Sequence, residues 1–108
     1  MCGQHPWIVA PDTVTVGEMF KVTVRLGRVP HPQEPGHHIE YVHLKMGDVL
    51  LAATTFHYEW VHPETTVALK LGESTDLTAF ADCNLHGLWA ETKRIQVVEK
   101  GGGPDEGE

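Results

Sequence analysis

Cysteine is scarce in this chain: Cys2 and Cys83 are the only two in 108 residues. That excludes a disulfide-rich scaffold and a four-cysteine zinc site. Long apolar runs are missing too. No stretch approaches the ~18–20 residues that a membrane-spanning helix needs, so no membrane segment is expected. The first residues, Met1-Cys2-Gly3-Gln4-His5-Pro6, carry neither a basic stretch nor an apolar one. No secretory signal is therefore read, and a cytoplasmic location is the expectation. In such a reducing compartment the two cysteines are expected as thiols rather than as a disulfide. Positive charge is also short, with 8 Lys and Arg against 15 Asp and Glu and a formal net charge of −7. Nucleic-acid binders usually present a basic patch, so none is expected here. Helical periodicity is the last absence: no stretch repeats apolar residues at 3–4 positions over two or more turns.

Period-two alternation is what remains. Phe20, Val22, Val24 and Leu26 alternate with Lys21, Thr23 and Arg25, which marks a half-buried strand within Glu18–Leu26. Ile39–Met46 alternates again, and Gly47-Asp48 reads as a tight turn into Val49–Phe56. Thr65–Leu71, Leu77–Ala81 and Arg94–Val98 give further strands, with Trp7–Ala10 and Val14–Val16 near the start. Short strands at this spacing, joined by Pro and Gly, predict an all-β fold: an immunoglobulin-like antiparallel β-sandwich of about seven strands. A single domain over positions 1–100 is expected. Gly101–Glu108 reads as a flexible acidic tail that cannot bury surface.

Histidine is over-represented, with 8 copies. It is the commonest metal ligand, so its placement matters. Cys83-Asn84-Leu85-His86-Gly87 follows a predicted strand and sets a soft thiolate beside an imidazole in one loop. Such a pair suits iron, zinc or copper, and alone it is a weak signal. His31-Pro32-Gln33-Glu34-Pro35-Gly36-His37 places two histidines on a loop stiffened by prolines, which lowers the entropy lost on ordering it around a metal. His5-Pro6-Trp7 adds a histidine at a terminus that a metal bond would tie down. His38, His43, His57 and His62 carry no motif and are read as polar strand or turn positions. Trp7 and Trp89 adjoin candidate ligands and suit either shielding or core packing. Trp60 reads as core or a subunit contact, and Cys2 as a residue without a role.

Taken together, these segments resemble the superoxide reductases, namely the neelaredoxins and the iron domain of desulfoferrodoxin. The carrying stretches are Val29-Pro30-His31-Pro32, His37-His38-Ile39-Glu40-Tyr41-Val42, Cys83-Asn84-Leu85-His86-Gly87-Leu88-Trp89 and the His5-Pro6-Trp7-Ile8 start. The resemblance spans about positions 4–98 and implies the one-domain form. It implies a mononuclear non-haem iron with His5, His31, His37 and His86 around it and Cys83 as axial ligand. The sixth position is open to superoxide, which is reduced by one electron to hydrogen peroxide. Backbone N–H groups of Leu85 and His86 are candidate donors to the sulfur. It further implies a small electron donor such as rubredoxin and a homo-oligomer, dimer or tetramer. The family usually carries Glu-Lys directly before the first histidine, the glutamate able to bind the oxidised iron and the lysine drawing in the anionic substrate. Gly3 and Gln4 stand there instead. Two other readings use the same residues. A cupredoxin-like electron carrier would also join cysteine and histidine on a β-sandwich, but no methionine follows His86 closely. A non-catalytic immunoglobulin-like binding module is the other.

Overall fold

A computed structural model describes residues 6–26, 39–57, 63–83 and 87–99. Eight strands fill these segments: β1 (Pro6–Val9), β2 (Thr13–Thr15), β3 (Phe20–Leu26), β4 (Ile39–Met46), β5 (Val49–Thr55), β6 (Glu64–Leu69), β7 (Thr75–Cys83) and β8 (Gly87–Val98). One sheet has the order β1-β3-β6 and the other β2-β8-β7-β4-β5. The all-β sandwich read from the alternation is therefore the fold. His5, His31, His37 and His86, and the proposed tail 101–108, lie outside the described residues.

The alternating residues make the core. Val22, Val24 and Leu26 of β3, Val42 and Leu44 of β4, and Leu77, Ala79, Ala81 and Cys83 of β7 are all buried. Burial of this apolar face is what holds the two sheets together. Threonine pairs support the packing: Thr23 and Thr66 join β3 to β6 at 2.8 Å, and Thr54 and Thr65 bridge the two sheets at 3.0 Å. In β4 both Ile39 and Val42 are buried, although three positions apart. A register irregularity between Ile39 and Tyr41 reconciles them, because one extra residue turns the strand by half a pleat.

Two differences from the sequence reading have physical causes. The sandwich is not wholly antiparallel, since β2 pairs parallel with β8. The chain leaves β1 and crosses to the other sheet without reversing, so β2 runs alongside β8. Asp12 fixes the crossing: its carbonyl accepts from the Gln96 N–H at 2.8 Å and its carboxylate accepts from Lys93. That charge-assisted contact holds the Asp12 carboxyl below its usual range. Second, β8 begins at Gly87 rather than near Arg94. Its first half turns Trp89, Glu91 and Lys93 to the inner face, so it shows no clean apolar alternation. Pairing with β7 along its whole length makes it a strand.

Candidate metal centre

Five described strand ends border the candidate ligand segments in sequence. Ile39, Cys83 and Gly87 stand in one row across β4, β7 and β8. Pro6 of β1 faces Leu26 of β3. β1 lies against β7 and β8 and leads through Asp12 to the far end of β8, so its first residue points to the same end as Gly87. Each of these five strand ends borders a candidate ligand in sequence. His5 directly precedes Pro6, and Leu26 leads toward His31. His37 lies just before Ile39, His86 directly before Gly87, and Cys83 is itself the last residue of β7. The described strand ends that border the candidate segments in sequence thus point toward one end of the sandwich. The four histidines, with Leu85 and the backbone of His86, lie outside the described residues. Among the described residues no group of three His, Cys, Asp or Glu side chains comes together.

Cys83 is 1% exposed and disulfide-bonded. This corrects the expectation of a thiol at Cys83; Cys2 lies outside the described residues. The compartment argument concerns how often such bonds persist in a cell. Whether one forms within a chain depends on whether two sulfurs can meet. A thiolate can donate charge to a metal; a disulfide sulfur has no such charge to give. The donor set therefore fits iron in the reduced state of Cys83 and not in the disulfide state.

The surroundings of Cys83 differ between the two faces of its sheet. Beside it are Ile39 and Ala81, both buried. Trp89 packs against this core, and its Nε1 is buried without a hydrogen-bond acceptor. Trp7 is instead 37% exposed, which rules out the core role for it. On the outer face, Asp82 lies beside Glu40. Partial burial, then the hydrogen bond and negative charge of Glu40, push the Asp82 carboxyl above its usual range. Sequence reasoning missed this acid pair. Its members border two candidate ligand segments, but only the β4–β7 register brings them together. Farther along the same face, Tyr41 lies against His43 with ring centroids 4.4 Å apart, and Lys45 sits over Phe80 at 5.9 Å. His43 is thus a sheet-face residue, as its lack of a motif suggested, and His57 is exposed.

Known proteins share this sequence and architecture. The desulfoferrodoxin family model matches residues 3–92. The desulfoferrodoxin of Clostridium acetobutylicum is 35% identical over 99 residues, covering 82% of this chain and 74% of its own. The superoxide reductase of Pyrococcus furiosus is 34% identical over 95 residues, covering 68% of this chain and 74% of its own. A solved superoxide reductase (neelaredoxin) from Ignicoccus hospitalis superimposes with a TM-score of 0.80 at 37% identity, over 87% of this chain and 80% of that one. The chain belongs to the desulfoferrodoxin family, a family of superoxide reductases, which are oxidoreductases. No helix among the described residues is long and apolar enough to cross a membrane.

Proposed function

We propose that this protein is a one-domain superoxide reductase that reduces superoxide to hydrogen peroxide at a mononuclear iron. The carrying observation is the register that sets Ile39 and Gly87, the strand ends next to His37 and His86 in sequence, on either side of Cys83, in a chain that the family model matches over residues 3–92. In this reading His5, His31, His37 and His86 hold the iron by their imidazoles, and Cys83 holds it by its thiolate. Positions 1–100 form the iron-binding domain, and 101–108 form a dispensable tail. Bound iron supplies the one-electron reduction of superoxide. The chain does the rest. The Cys83 thiolate donates negative charge from the buried side, a push that thiolate ligands also give in haem enzymes. The buried Ile39 and Ala81 beside Cys83 keep water from the sulfur. Polar neighbours of the sulfur tune the potential, and the N–H groups of Leu85 and His86 are assigned that part. Electrons come from a small redox protein such as rubredoxin, and the working form is a homo-oligomer, dimer or tetramer, in the cytoplasm.

The test is to reduce the protein, supply iron(II), and compare wild type with Cys83→Ser. Wild type should bind about one iron per chain and, once oxidised, show a sulfur-to-iron charge-transfer band. The band should vanish in the variant. Iron-free wild type, or a spectrum indifferent to Cys83, sinks the ligand assignment and favours a binding module without a metal.

A further inference from the structure

The outer face of the larger sheet departs from the polar surface that a solvated antiparallel face usually presents. The row across its strands through Ala53, His43, Phe80 and Ala90 holds no Asp, Glu, Lys or Arg. Leu88, 58% exposed, adjoins this row on the Cys83 side, and Leu50, 50% exposed, adjoins it on the other. An open cavity of about 180 Å³ lies among Tyr41, His43, Lys45, Phe80 and Leu88. Charge stands on either side of the row. On one side is Lys45, over the Phe80 ring at 5.9 Å, and among the described residues no carboxylate pairs with it. On the other is Asp82, joined to Glu40 by a hydrogen bond. Lys45 stands opposite Thr78 and Tyr41 opposite Asp82. The cation and the acid pair are therefore ~13 Å apart along the strands, at ~3.3 Å for each residue.

We infer that this face joins two copies of the chain, packed face to face with their strands reversed. This rests on the homo-oligomer of the proposed reading and names its contact. A two-fold axis lying across the strands, at the level of His43 and Phe80, lays the uncharged row of one copy on that of the other. The same axis carries Lys45 of each copy to the Glu40–Asp82 pair of its partner. A contact between identical faces requires such self-complementarity. Stacked sheets lie ~10 Å apart, a gap that Phe80, Tyr41 and Leu88 fill from both sides. The charge pattern selects a second copy over another partner. A uniformly acidic partner would set its charge against Glu40 and Asp82, and a uniformly basic one against Lys45. The chain's own face, turned end for end, matches both. Two chains of −7 otherwise repel each other. Apolar burial supplies the attraction, and the two charge contacts fix the register of one copy on the other.

The experiment is sedimentation equilibrium of the full chain under a dithiol reductant, over a wide range of concentration, with iron content read on the same samples. Wild type should form dimers, or tetramers that Leu88→Glu splits into dimers. Leu88→Glu sets a carboxylate in the apolar patch and should weaken association by about thirtyfold. Lys45→Glu and Glu40→Lys should each weaken it by about tenfold. The two together restore opposite charges across the contact and should recover most of that loss. All four positions of change are on the surface of the sheet, and unfolding midpoints close to wild type confirm intact folds. Should Leu88→Glu unfold, the charge exchange reads the contact without it. A monomeric wild type, an association indifferent to Leu88→Glu in a folded protein, or a double variant no stronger than the weaker single would each overturn the inference. A monomeric wild type also sinks the homo-oligomer reading, whereas an oligomer that survives every substitution sinks this face alone. Iron content separates both from the metal reading, since a chain without iron can still associate.

Discussion

Single residues at the Cys83 end carry sharply different constraints. Gly87 opens β8 with φ of +84° and pairs with Cys83. A Cβ there would meet nothing within 4 Å. Gly87→Ala therefore costs conformational strain alone, about 1–2 kcal/mol in chemical denaturation, with no loss of packing. Asp82 is constrained by charge. Its folded-state carboxyl titrates above the ordinary range because burial and Glu40 disfavour its ionised form. A raised folded pKa means that the contribution to stability is complete below the usual carboxylate pKa. It is lost as pH rises through the raised one. Asp82→Asn should consequently stabilise the protein at neutral pH and flatten that part of its stability–pH curve. Thermal unfolding at several pH values above the usual carboxylate range reads this directly. A variant whose curve parallels wild type there would show that the pair is screened by solvent.

At the scale of elements, the legible strands are those whose burial is one-sided. β3 and β4 alternate because one face meets the core and the other meets water, and their signal needs no neighbour. β7 was legible only in its middle, since Asp76 and Asp82 interrupt nothing on its inner face but blur the outer one. The first half of β8 was not legible, because its inner face carries Glu91 and Lys93 and its strand state comes from β7. The same divide holds at the site. Local motifs named Cys83 and four histidines; Cys83 is the buried last residue of β7, and the histidines lie outside the described residues. The pairing of Asp82 with Glu40 and the oxidised state of Cys83 depend on contacts between distant segments, which spacing cannot show. β7 thus has two tasks: a packed inner row and, in the proposed reading, a ligand at its end. Leu77 is fully buried in that row, at the end of β7 remote from Cys83. Leu77→Ala should cost about 2–5 kcal/mol of stability while leaving the iron stoichiometry of the folded protein unchanged. A parallel loss of iron binding below the unfolding transition would mean that the core and the site are one cooperative unit.

The whole molecule carries −7 charges, and its proposed substrate is an anion. Long-range repulsion therefore opposes encounter, and the family's usual local remedy, a lysine before the first histidine, is replaced by Gln4. Clustered positive charge can speed association of an anion by roughly 10–1000-fold at low salt. One lysine in an acidic chain sits at the lower end of that range. Gln4→Lys should raise the second-order rate with superoxide by about tenfold at low ionic strength, measured by pulse radiolysis. Salt should act on the two proteins to different extents. Screening works over ~10 Å at 0.1 M, so added salt relieves the overall repulsion felt by wild type and its rate should climb. In the variant salt also weakens the new local attraction, and its advantage should shrink. Equal rates for both proteins at low salt would place the control of encounter elsewhere, either in another cation near the site or in a step after binding. A difference that persists unchanged at high salt would point to the lysine as a proton source rather than as a guide, because proton delivery at contact distance is not screened.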